Sequence, residues 1–165
     1  PPLVGISVPR RMVFMAKEEL FRSRVWGYFV RSFGSFPVHR TRLDREALRQ
    51  SDQTLRAGLA LVMFPEGTRS PDAQLQSAFL GSALIAARSN APILPVGITG
   101  TEKIKGISWL WHRPRITVNI GCPFNLPPVN GRLTKIELAQ LTDYVMRNIA
   151  VLLPHSYQGV YRETE

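Results

Sequence analysis

The sequence predicts an α/β domain, a mixed β-sheet flanked by helices. Short apolar runs at 12–16, 35–40, 59–63, 91–98 and 115–120 read as strands. Between most of them lie stretches whose apolar residues recur three or four apart, the helical spacing. Strands that alternate with helices build α/β sheets. No internal repeat and no dividing linker breaks this order, so 1–165 is expected to form one domain.

Residues 1–11 read as an irregular approach, with Gly5 and Pro9 as breakers. The run 12–16 is a buried strand. An amphipathic helix is expected over 17–33, with Phe21, Val25, Phe29 and Phe33 on one side and Gly34 as its left-handed cap. The next strand, 35–40, carries Pro37, which argues for an edge or a bulge. Asp44 is placed to cap a helix to about 57, with Ala47, Leu48 and Leu55 inward and Gly58 closing it. The compact run 59–63 is a buried strand. A third helix is expected over 77–89. The apolar run 91–98 follows, and 115–120 alternates with Ile116, Val118 and Ile120 inward. Thr134 and Glu137 form a capping box opening a helix with Leu138, Leu141, Val145, Ile149 and Leu152 on one stripe. Pro154 stops it.

The chain is 44% hydrophobic and 20% charged, the balance of a globular protein rather than a disordered one. Lys and Arg number 21 against 12 acids, a net charge of +9. That excess calls for an anionic partner: nucleic acid, a membrane surface or a phosphorylated substrate. The single cysteine, Cys122, leaves no internal disulfide and fits a reducing compartment; a small buried hydrophobe is its expected role. No run of 18 apolar residues and no signal peptide is legible. The start at Pro1 suggests a fragment of a longer chain. No Cys and His share metal-ligand spacing, and no nucleotide P-loop occurs, so neither zinc nor another cofactor is implied.

The chemistry concentrates in Phe64-Pro65-Glu66-Gly67-Thr68-Arg69-Ser70, between the strand at 59–63 and the turn signal Pro71-Asp72. Ligands of open α/β sheets gather at the carboxyl ends of strands. Gly67 allows close backbone approach or a positive φ. Arg69 offers a planar fork that matches phosphate oxygens. Glu66 is placed to orient Arg69 or a substrate; the plainer reading is a surface Arg–Glu pair.

This heptapeptide resembles the third signature block of the glycerolipid acyltransferases, the 1-acylglycerol-3-phosphate acyltransferase family. Gly34-Ser35-Phe36-Pro37-Val38-His39-Arg40 resembles the second block, with Arg40 on its arginine. Lys17-Glu18-Glu19-Leu20 is similar to the family's Lys-x-Glu-Leu. The stretch 93–102 looks like the fourth block, an apolar strand with a central proline, Pro95. The tail 154–161 is similar to family C-termini. The resemblance runs from about residue 9 to the end.

The family's first block, a His and an Asp separated by four residues, belongs upstream of Pro1. In the family that His is the general base for the acceptor hydroxyl, a weak nucleophile without one. His39 and Asp44 repeat the spacing inside the second block, where Asp44 is better explained as a helix cap. The basic residue often found near 78–81 is missing. His112 and His155 read as surface histidines.

The resemblance implies acyl transfer from acyl-CoA or acyl carrier protein to the free hydroxyl of a lysophospholipid acceptor, 1-acylglycerol-3-phosphate, giving phosphatidate. It implies that Arg40 and Arg69 hold the acceptor's phosphate, that Glu66 supports the site, and that Gly67 and Thr68 shape its backbone. It also implies peripheral attachment to the cytoplasmic face of an anionic membrane. Trp109 and Trp111, beside Arg113 and Arg115, are placed either to meet that surface or to fold back onto the core. A non-catalytic lipid- or thioester-binding module is the alternative. Nucleic acid is not expected as a partner, because no helix-turn-helix, zinc or stacking signature accompanies the charge. Residues 1–165 alone are expected to give no turnover with acyl-CoA and lysophosphatidate, since loss of a general base costs ~10²–10⁴ in rate. An acyl-transfer assay with and without the native upstream segment checks this, and robust turnover by the short form would promote His39.

Overall fold

The computed structural model describes residues 2–17, 21, 34–38, 45–104, 114–127, 131 and 133–162. Three strands form a parallel ladder in the order β2-β1-β3: β1 is Met12–Lys17, β2 is Phe36–Val38 and β3 is Ala60–Val62. Parallel neighbours require a crossover, and the helix α2, Arg45–Arg56, lies between β2 and β3 in the chain and packs against both. Two further strands, β4 (Val96–Thr99) and β5 (Thr117–Ile120), pair antiparallel as a separate ladder. A bridge between Ile93 and Phe124 extends it. Parallel and antiparallel pairing thus occur together, as an α/β reading with mixed strands expects.

Helix α2 is polar on most of its surface and buries a narrow stripe, Ala47 and Ser51. Ser51 satisfies its own hydroxyl by donating to the Ala47 carbonyl at 2.6 Å, so burying it costs little. Gly58, at φ +73°, follows the helix and turns the chain into β3.

The core gathers around two further helices, α3 (Gly81–Ser89) and α4 (Lys135–Ala150). One face of α4 places Met146 and Ala150 against Leu75 and Leu153; the adjacent face places Val145 against Ala86 and Leu126. Met146 is 1% exposed, the most enclosed large side chain among the described residues, although the expected stripe ran through Val145. At and just beyond the C-terminus of α4, where the helix leaves carbonyls without intrahelical partners, side-chain donors add to the backbone ones. Gln158 donates to Ala150 and Leu153, and Asn119 donates to the Leu152 carbonyl at 2.7 Å.

Five expectations need correction. Pro2–Ser7 is a helix, α1, rather than an irregular approach. Pro2 stands at its first position, where a missing N–H does no harm, and Val4 is buried on it. Helix α3 starts at Gly81, not near 77, because the N–H groups of residues 75, 76, 78 and 79 donate to Tyr157, Glu66, Tyr161 and Pro65. Ile120 is 44% exposed rather than inward; it sits at the last pair of a two-stranded ladder. Cys122 is exposed rather than buried, in the link between that ladder and the Phe124 bridge. Lys17, expected to open a helix over 17–33, is instead the last residue of β1; of the rest of that helix only Phe21 is described, and the cap at Asp44 lies outside the described residues.

The capping box of α4 is present in full. The Thr134 hydroxyl accepts the Glu137 N–H at 3.2 Å, and the Glu137 carboxylate accepts the Thr134 N–H at 2.7 Å. Thr134→Ala is expected to destabilise the fold by about 1 kcal/mol, read as a Tm loss of roughly 2–4 °C. An unchanged Tm would mean that the box adds nothing beyond the packing of α4.

Candidate active site

The signature loop leaves the carboxyl end of β3. Val62 stands opposite Phe14 of β1, whereas Val38, the end of β2, stands opposite Lys17. The two strand ends are therefore staggered by three residues along β1, about 10 Å. Chain beyond β3 must climb this stagger to come level with the end of β2.

It does so through a tight turn. The Gly67 N–H donates to the Phe64 carbonyl at 2.9 Å. Pro65 holds the second position and Gly67 the fourth, where each is favoured. Gly67 has φ +65°, a conformation that penalises any side chain. The turn leaves Arg69 exposed.

Glu66 points the other way. Its half-buried carboxylate accepts the Gln76 N–H at 2.7 Å. Burial lifts its pKa above the ordinary value, and the Gln76 N–H opposes that only in part. Beside it the Phe79 N–H donates to the Pro65 carbonyl at 2.9 Å. The intervening loop is closed by a polar cluster. Ser70 donates to Asp72 at 2.7 Å, and the Gln74 N–H donates to both. Those bonds, that from Ser70 foremost, hold the Asp72 carboxyl below its ordinary value.

The expected Arg–Glu pair is not formed: among the described residues no carboxylate lies within salt-bridge distance of Arg69. Thr68 is exposed, and its hydroxyl makes only a long 3.5 Å contact with the Arg69 carbonyl. The loop thus separates its two charges. The carboxylate faces inward and fixes the turn; the guanidinium faces solvent and is available to an anion. Phe64 and Phe79 are exposed on either side of the turn and give it an apolar border.

Arg40, the alternative base His39, Trp109, Trp111 and His112 lie outside the described residues; the strand leading to Arg40, β2, ends at Val38 on the same carboxyl edge. His155, the single histidine among the described residues, is exposed as expected. Among the described residues no three His, Cys, Asp or Glu side chains gather as a metal site. Sequence reasoning missed Gln76, Phe79 and Tyr161. Tyr161 accepts the Ala78 N–H at 3.2 Å, and its phenol is held above the ordinary value by burial first, then by the charges of Asp143 and Glu66. The one signal for it was the tail 154–161, which carried a resemblance but no role.

A parallel ladder whose strand-end loop half-buries a carboxylate and exposes an arginine defines an α/β domain with its candidate site at the carboxyl end of β3. The comparisons narrow this. The acyltransferase family model matches residues 1–99, and the chain belongs to that family. A 1-acyl-sn-glycerol-3-phosphate acyltransferase of Streptococcus pneumoniae is 30% identical over 159 residues, covering 95% of this chain and 54% of the relative. One from Bacillus subtilis is 29% identical over 150 residues, 90% of this chain and 72% of the relative. The crystal structure of the 1-acyl-sn-glycerophosphate (LPA) acyltransferase PlsC from Thermotoga maritima superposes with a TM-score of 0.60 at 29% identity, covering 86% of this chain and 56% of that one. The chain therefore spans little more than half of the pneumococcal relative and of PlsC.

The raised carboxyl of Glu66 makes a thermodynamic demand. A group whose folded pKa is raised favours its protonated form in the folded state. Its contribution to stability is therefore lost as pH rises through and above the ordinary glutamate range. Glu66→Gln keeps an acceptor for the Gln76 N–H and removes the charge. Its Tm relative to the parent is expected to rise between about pH 4 and pH 7. A gap that stays constant over that range would show that burial places no strain on the carboxylate.

Proposed function

We propose that this chain is the core of an enzyme that moves an acyl group from a thioester donor, acyl-CoA or acyl carrier protein, to 1-acyl-sn-glycerol-3-phosphate. The acceptor hydroxyl attacks the thioester carbonyl. A C–O bond forms, the C–S bond breaks, and the hydroxyl proton ends on the departing thiol. The product is phosphatidate. One observation carries this reading: Arg69 is held out from a rigid turn, with no described carboxylate partner, in a loop beside an apolar border. A lysophospholipid presents the matching pair, a phosphate beside an acyl chain. The names of the relatives point to the same acceptor.

Arg69 and Arg40 are assigned the acceptor's phosphate. Glu66 is assigned to support that site, and Gly67 and Thr68 to shape the backbone around it. The acceptor lives in a bilayer, and the net charge of +9 favours an anionic membrane surface. Among the described residues no helix is long and apolar enough to cross a membrane. Peripheral attachment at the cytoplasmic face is the proposed placement, and the basic charge is what supports it.

Arg40→Ala and Arg69→Ala in the full-length enzyme are expected to raise the acceptor KM and leave the donor KM close to its original value. A charge-assisted hydrogen bond contributes roughly 1.5–3 kcal/mol, so each loss should be about tenfold to a hundredfold. Arg69→Lys should recover only part, because an ammonium cannot bind in bidentate fashion. An acceptor KM that neither alanine variant changes would remove the phosphate role.

A further inference from the structure

The tail after α4 is joined to the loop behind the Glu66 turn at several points. The Leu75 N–H donates to the Tyr157 carbonyl at 2.8 Å, and the Val160 N–H donates to the Leu75 carbonyl at 3.3 Å. The Ala78 N–H donates to the Tyr161 hydroxyl at 3.2 Å. Between these anchors lies Gln76, whose N–H holds the Glu66 carboxylate. Residues 75–78 are thus a single thickness of backbone, with the tail on one side and the signature turn on the other.

The fit is close. Gly159 has φ +52°, and a Cβ there would stand 2.1 Å from the Leu75 carbonyl oxygen. No other residue fits without backbone movement. The tail has a firm base of its own. Tyr157 and Tyr161 pack on the cluster of Leu75, Met146, Ala150 and Leu153. The Tyr157 hydroxyl donates to Glu102 at 2.8 Å, past the end of β4. The tail therefore ties α4, the end of β4 and the signature loop together.

We infer that Tyr161 is a positioning residue for the acceptor-binding turn, acting through Ala78, Gln76 and Glu66 without touching substrate. The inference rests on reading the 64–70 loop as the phosphate site. Its physical basis is the sequence of bonds. The Tyr161 hydroxyl fixes the Ala78 N–H. That fixes the strand of backbone carrying the Gln76 N–H, which fixes Glu66, and Glu66 sets the turn from which Arg69 projects. Positioning of this kind counts, because small displacements of a binding group lower rates steeply.

Tyr161→Phe in the full-length protein tests the inference, since it keeps the ring in its cluster and deletes only the hydroxyl. The amide hydrogen exchange of Gln76 is expected to quicken about tenfold, the effect of one lost hydrogen bond on local opening. The acceptor KM should rise several-fold while the donor KM and Tm hold. In a Glu66→Ala background, where the relay is already cut, Tyr161→Phe should change the acceptor KM no further. Unchanged Gln76 exchange, or fully additive effects in the double variant, overturns the inference. If Arg69→Ala leaves the acceptor KM untouched, the phosphate reading fails instead. The Gln76 exchange rate then still decides whether Tyr161 positions Glu66.

Discussion

One hydrogen bond organises the described part of this molecule: the Gln76 N–H to the Glu66 carboxylate, at 2.7 Å. A carboxylate withdrawn from water must find donors or take up a proton. Glu66 finds one donor, the Gln76 N–H, on the segment that precedes α3. The demand of one buried charge thus shapes the chain on both sides. Upstream it holds the turn that exposes Arg69. Downstream it ties the segment that precedes α3 to the turn.

That extended segment then needs support of its own, and α4 and the tail provide it. Leu75 enters the Met146 cluster, while its N–H and carbonyl pair with the tail. Packing and hydrogen bonding converge on the same few residues. The opposite sign of design appears at Arg69, which is left without a described carboxylate. The ion pairs among the described residues, Arg49–Glu46, Arg56–Asp52 and Arg147–Asp143, lie one turn apart on exposed helix faces. Such pairs contribute little.

Much of the architecture was legible because it is local. The capping box at Thr134 needs only two residues three apart, and it is present. The positive φ beyond the end of β3 needs only the glycine found there, Gly67. The strands β1 and β3 announce themselves as short apolar runs. What failed was non-local. Helix propensity over 77–80 lost to hydrogen bonds with Glu66, Tyr161 and Pro65, two of them close in sequence and one 83 residues away. Ile120 alternates correctly for a covered strand, yet the two-stranded ladder leaves its last residue open. The expected stripe of α4 held Val145 but not Met146; Met146 is buried as well because the tail folds back over that face.

The sequence by itself determined the family and marked the heptapeptide as the candidate site. Both rest on residue types in a fixed local order, above all the heptapeptide from Phe64 to Ser70. Only the tertiary structure decided what each residue of that heptapeptide does. Glu66 and Arg69 look like partners on paper, three residues apart. In the fold they face apart, because burial beside the 75–79 segment offers Glu66 a backbone donor that it holds in Arg69's stead. Which charge is enclosed and which is exposed depends on chain arriving from elsewhere, and no local pattern encodes that arrival.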